Sequence, residues 1–173
     1  MADIERYGVK YIRYMPEEDD STSAIGRGWR STFQTDNKTG AEAALLSLGS
    51  TWDWQPNGDL KTVTAAIPAV RVDAGPQRQG KKSFYNSIVA AFTGWTDSRN
   101  TGEKAVVLAD GNDSYLDPAI IESCRSIMDE ISVNIPWQKG DIMLLDNRTV
   151  MHSRKPFEGP RRVLAGLVRD PLR

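Results

Sequence analysis

Histidine and cysteine are almost absent: His152 and Cys124 are the single examples in 173 residues. One histidine excludes any site that needs two imidazoles from one chain. One cysteine excludes an internal disulfide and a cysteine-built zinc cluster, and it fits a reducing compartment. A surplus of one charge is also missing. Lys and Arg total 22 against 23 Asp and Glu, for a net charge of -1. Nothing in that balance would hold nucleic acid or an anionic membrane across the whole surface. No apolar run approaches the ~20 residues of a membrane span. The stretch Met1 to Tyr14 is charged and aromatic, with no apolar core of a signal peptide. Internal repeats and low-complexity tracts are lacking. The expectation is a soluble, cytoplasmic protein without nucleic-acid or membrane partners.

What is present is ordinary for a globular chain. With 39% hydrophobic and 26% charged residues, disorder and collagen-like repeats are excluded. The length predicts one domain, residues 1–173, able to bury roughly two-thirds of the surface its unfolded chain exposes.

Short strand-like runs dominate. Residues 7–15 mix β-branched and aromatic residues and read as a strand closed by Pro16 and the acidic run Glu17–Asp20. Residues 39–48 are Ala/Leu-rich, with Gly49 as a helix stop. The runs 51–55 and 60–66 flank Pro56-Asn57-Gly58-Asp59, a hairpin signal. A second hairpin is expected from 68–73 and 82–86 across a Gly- and Lys-rich loop. Residues 87–94 read as a short helix or apolar turn, 95–104 as a polar loop, and 105–109 as a strand. Asp117 as N-cap and Pro118 at the first helical position open the clearest helix, 117–131. Ile120, Cys124, Ile127, Met128 and Ile131 share one face of it and are expected in the core. Four further strands are expected at 132–136, 141–146, 149–153 and 161–169. Many short strands with two or three helices predict an antiparallel sandwich or barrel.

Few residues carry chemistry. His152 lies in the run TVMHSR, where a strand histidine serves either as a structural hydrogen-bonder or as a ligand for a first-row metal. Arg161 and Arg162 open the last expected strand, so their side chains point to opposite faces and one can face inward beside His152. A buried guanidinium fits a carboxylate; the alternative is an exposed pair balancing Glu158 and Asp170. Gly26-Arg27-Gly28 lacks the strand–helix context of a nucleotide loop. Asp146-Asn147 reads as a turn or as part of a polar site. No G-x-S-x-G elbow accompanies the Ser, His and Asp residues.

The segment WQKGDIMLLDNRTVMHSRKPFEGPRRVLAGL, residues 137–167, strongly resembles the C-terminal signature of the TauD/TfdA-like Fe(II)/2-oxoglutarate-dependent oxygenases. IGRGWRSTFQT, the W-x-W hairpin, IPAV and FYNSIVAAFTGW extend the resemblance upstream, in the clavaminate-synthase-like branch. Together they cover about residues 7–170. The resemblance implies a double-stranded β-helix, or jelly roll, holding Fe(II) on a His-x-Asp/Glu pair and a distal histidine, with 2-oxoglutarate as cosubstrate. On that basis His152 matches the distal metal ligand in H-x-R-x-P-F. Arg162 in RRVLA matches the arginine that grips the cosubstrate's distal carboxylate, with Arg161 as the alternative. Asn86 matches a substrate-side residue near the mouth of the site.

The chain departs from the pattern in having no His-x-Asp/Glu and no G-G-[DE]-T segment. The expectation is therefore the C-terminal portion of a longer oxygenase, its jelly roll incomplete on the N-terminal side. Three functions compete: part of an oxygenase of small molecules, a non-catalytic jelly-roll binding module, and one half of a split enzyme. Self-association or a complementing chain is expected to cover the incomplete side.

Overall fold

The computed structural model describes residues 1–76, 78–155, 158–159 and 164–168. Within them, helices and antiparallel sheets alternate. The order is α1 (Ala2–Tyr7), β1 (Val9–Met15), α2 (Trp29–Phe33), α3 (Lys38–Ser47), β2 (Thr51–Trp54), β3 (Leu60–Val63), β4 (Val70–Val72), β5 (Lys82–Phe84), α4 (Ile88–Gly94), β6 (Val106–Leu108) and α5 (Pro118–Ile131), with a 3-10 turn at Gly102–Lys104.

One sheet has the strand order β2-β3-β1-β6, and β4 and β5 form a separate hairpin. The β2–β3 turn sits where Asn57-Gly58 puts it: Gly58 has φ +89°, and Gln55 N–H donates to the Asp59 carbonyl at 2.9 Å. Every pair is antiparallel, as expected. The chain enters β1 through Gly8, whose φ of +72° and close approach to the Ile67 carbonyl leave no room for a Cβ.

Strand β1 joins two cores. Its start, Val9, packs with Ile4, Ile88, Val106, Leu116 and Ile121. Its end, Met15, packs with Trp29, Ala41, Leu45 and Leu60, flanked by Trp52 and Trp54. Trp29 and Trp54 meet edge to face with centroids 5.2 Å apart, a favoured aromatic geometry. The Trp54 indole N–H donates to Glu42 Oε1 at 2.7 Å.

Helix α5 begins as its sequence predicts. Asp117 Oδ1 accepts from Ala119 N–H at 2.9 Å, and Pro118 occupies the first turn. The expected core face needs correction at its end. Ile121 is buried, and Ile120, Cys124 and Met128 pack against the first core, but Ile127 and Ile131 are exposed. The helix runs past the edge of the body it packs on.

The larger correction follows directly. The strands expected at 132–136, 141–146 and 149–153 do not form; these residues are irregular or in turns, and nearly all are exposed. A strand needs a neighbour to satisfy its backbone N–H and C=O groups, and none of the described strands lies beside this segment. Residues 164–168 of the fourth expected strand are likewise irregular and exposed. Helix takes a larger share than expected, because α1 and α2 are short helices in stretches to which the sequence assigns no helix.

Candidate functional site

The residues singled out in the sequence are not gathered in one place. His152 lies exposed in the irregular segment after α5, not on a strand facing inward. Arg161 and Arg162 fall outside the described residues. Asn86 is half-buried, and both faces of its amide are engaged: Nδ2 donates to the Ala69 carbonyl at 2.9 Å, and Oδ1 accepts from Ile88 N–H at 2.9 Å. It ties the β4–β5 hairpin to the start of α4. Cys124 rests against the first core, where burial pushes its thiol above the ordinary value and away from thiolate chemistry. Asp146 is a turn residue: its Oδ1 accepts from Arg148 N–H at 3.0 Å, and its carbonyl accepts from Thr149 and Val150 N–H at 3.0 and 3.1 Å.

The best-built polar cluster is one that sequence reasoning left as two loops without a ligand. Asp97 and Arg99 hold residues 16–28 against residues 95–104. Arg99 Nη2 lies 2.7 Å from Asp20 Oδ2 and 3.1 Å from Asp97 Oδ2. Asp97 also accepts from Ser23 Oγ and from the backbone N–H groups of Arg99 and Asn100, each at 2.8 Å. Asn100, 5% exposed, pairs with both backbone groups of Tyr14: its Oδ1 accepts from the N–H at 2.8 Å and its Nδ2 donates to the carbonyl at 3.0 Å. On the other side, Arg13 Nη2 donates to the carbonyls of Ile25 and Arg27.

The electrostatics follow from these partners. Burial pushes the Asp97 carboxyl up, but the donors from Asn100, Ser23 and Arg99 outweigh it and hold the group far below the usual carboxylate range. Asp20 is lowered to about 2, chiefly by the Thr22 hydroxyl and then by Arg99. The same clamp explains the G-x-G run. A Cβ on Gly26 would stand 2.1 Å from the Asp20 carbonyl oxygen, and one on Gly28 would stand 2.6 Å from that of Glu17. The glycines let the loop fold back on itself.

A cleft of about 220 Å³ beside the clamp is lined by Ile12, Tyr14, Arg99, Asn100, Thr101 and Lys104. Arg99 is already met by two carboxylates there, so the arrangement serves as a structural tie between loops. A spacing signal for it existed: Asp97 and Asn100 bracket Arg99 in one turn, a pattern in which an Asx side chain bonds backbone two or three residues on.

Among the described residues, no three His, Cys, Asp or Glu side chains come together to hold an ion. No described helix is long and apolar enough to cross a membrane.

Comparison with known proteins decides the family. The model of the family described as taurine catabolism dioxygenase TauD, TfdA family matches residues 8–168. The chain belongs to the TauD/TfdA family. It is 46% identical over 164 residues to a clavaminate synthase-like protein of Arabidopsis thaliana, covering 95% of this chain and 48% of that relative. It is 26% identical over 183 residues to the dapdiamide synthesis protein DdaC of Enterobacter agglomerans, covering 99% of this chain and 52% of that one. The TauD/TfdA chain thus spans about half the length of the curated relatives it matches. The resemblance read from residues 137–167 and the upstream motifs is borne out at the level of family and branch.

Proposed function

We propose that this TauD/TfdA chain forms the C-terminal portion, residues 1–173, of an Fe(II)/2-oxoglutarate-dependent oxygenase. The whole protein would couple decarboxylation of 2-oxoglutarate to oxidation of a C–H bond in a small-molecule substrate. His152 is the proposed distal metal ligand and Arg162, or its neighbour Arg161, the grip on the cosubstrate's carboxylate. Asn86 is proposed on the substrate side, where it sets the direction of the chain into α4. The observation that carries the reading is the family match, which runs through the H-x-R-x-P-F segment around His152.

The described residues do not by themselves complete an iron centre. One exposed imidazole without clustered carboxylates offers too few ligands, since ligand number and geometry set affinity and selectivity. No catalytic step is therefore derived from this chain alone. The alternative function, a jelly-roll binding module without chemistry, draws on the same ligand count.

An anaerobic titration tests the choice, following the visible charge-transfer band of the iron–2-oxoglutarate chelate. The 173-residue chain alone should show no stoichiometric band. A chimera carrying the unmatched portion of the Arabidopsis relative at the corresponding junction should show one, and His152→Ala in that chimera should abolish it. A chimera that folds without a band favours the binding module; a band that survives His152→Ala removes His152 from the metal.

A further inference from the structure

The β4–β5 hairpin has two unlike faces, because side chains alternate along each strand. Phe84 packs against the first core, and Lys82, two residues back, pairs with Glu5 of α1. Arg71 and Ser83, directly opposite each other in the register, therefore lie on the outer face. Asp73 and Lys81 continue that face, and Asp73 N–H donates to the Lys81 carbonyl at 2.8 Å. The turn brings Arg78 back over it. Arg78 N–H donates to the Gly75 carbonyl at 3.0 Å, and Gly75 N–H donates to Asp73 Oδ1 at 2.8 Å. Arg78 Nη2 then donates to the Ser83 hydroxyl at 3.3 Å, and its Nε lies 3.4 Å from Asp73 Oδ2. From the other strand, the Arg71 guanidinium stands 5.9 Å from the Tyr85 ring centroid, a cation–π contact that steadies it.

The charges on this face do not cancel. Arg71, Arg78 and Lys81 share it with one carboxylate, Asp73, which is 12% exposed and already held by Arg78. Among the described residues, neither Arg71 nor Lys81 pairs with a carboxylate. The Ser83 hydroxyl accepts from Arg78, and its own O–H meets no acceptor among the described residues. Guanidinium, ammonium and hydroxyl groups together offer donors only, so their complement is an oxyanion. Three cations against one anion leave a surplus of two positive charges. A carboxylate would neutralise one of them; a phosphate monoester, with about 1.5–2 negative charges at neutral pH, meets both. The guanidinium fork also matches phosphate geometry. We propose that the outer face of β4–β5, around Ser83, binds the phosphate group of a small molecule, with Arg71 and Arg78 as its principal partners. The proposal goes beyond the oxygenase reading above and does not rest on it.

Inorganic phosphate is the probe. The isotope-labelled 173-residue chain is titrated at neutral pH and followed by NMR, with chloride exchanged for phosphate to keep the ionic strength fixed. The Ser83 and Tyr85 amides and the Arg71 Nε–H should shift saturably, with a midpoint of about 1 mM. Acetate over the same range should give no saturable shift. Arg71→Gln should weaken the phosphate midpoint about tenfold. Arg71→Lys, which keeps the charge and loses the fork, should weaken it by about threefold. The Ile88 amide, bonded to Asn86, should hold its position in both variants, showing that the hairpin stays docked. Three results overturn the proposal: phosphate shifts that do not saturate by about 50 mM, acetate that binds as tightly as phosphate, or an Arg71→Gln chain that binds phosphate as the wild type does.

Discussion

Replacing Asp97 with alanine is the most direct test of how the body is held together. The carboxylate is nearly buried, with 9% of its side chain exposed, and the Arg99 guanidinium beside it is 18% exposed. The substitution removes acceptors for Ser23 Oγ, for two backbone N–H groups and for Asn100 Nδ2, and it leaves Arg99 with Asp20 alone. Stranding buried donors and half of a charge pair costs about 2–4 kcal/mol, less than the sum of the separate bonds because they share one side chain. A loss of ~3 kcal/mol lowers the melting temperature by about 6–12 °C for a chain of this size. The pH dependence has a definite sign. A carboxyl depressed in the folded state contributes stability that is complete above its unfolded value near ~3.9 and fades as pH falls through the folded value. The difference between the wild-type chain and Asp97→Ala, followed by far-UV circular dichroism melts, should be constant from about pH 8 to 5 and should narrow toward about pH 2.5. A drop under about 2 °C at neutral pH, or a gap that does not narrow in acid, would refute the clamp.

Leu60 is fully buried beside Trp29 and Leu45, so Leu60→Ala should cost about 2–5 kcal/mol, read as a lower urea midpoint at unchanged slope. Asp117→Ala should cost about 1 kcal/mol by freeing the Ala119 N–H; an unchanged midpoint would mean that Pro118 alone starts α5.

Elements whose signals are local were legible. Helix α5 carries its own cap and proline, and the β2–β3 hairpin carries its own Asn-Gly turn. Helices α1 and α2 were missed because each is too short to show a period. Helix α2 is fixed instead by burial of Trp29, 1% exposed, under the sheet. The neighbours in β2-β3-β1-β6 could not be read either, since Val9 pairs with Leu108 across most of the body. The clamp was half legible. Its residues were visible as two polar loops, but Asp20 and Arg99 are 79 positions apart, and only the fold brings them together.

The C-terminal third inverts that relation between signal and structure. Residues 137–167 hold the most specific family motif, yet their described part is the least built. Strand propensity describes how well a residue fits a pleated, half-buried surface; it does not create the surface. The Asp141 and Asp146 turns form because each needs only its own few residues. The runs between them need a partner for every backbone amide, and the described sheets offer none. The same dependence governs His152. An imidazole becomes a metal ligand through the groups that hold its direction and supply its companions, and the described chain gives it neither. The motif therefore identifies the family, while among the described residues no second ligand comes to His152.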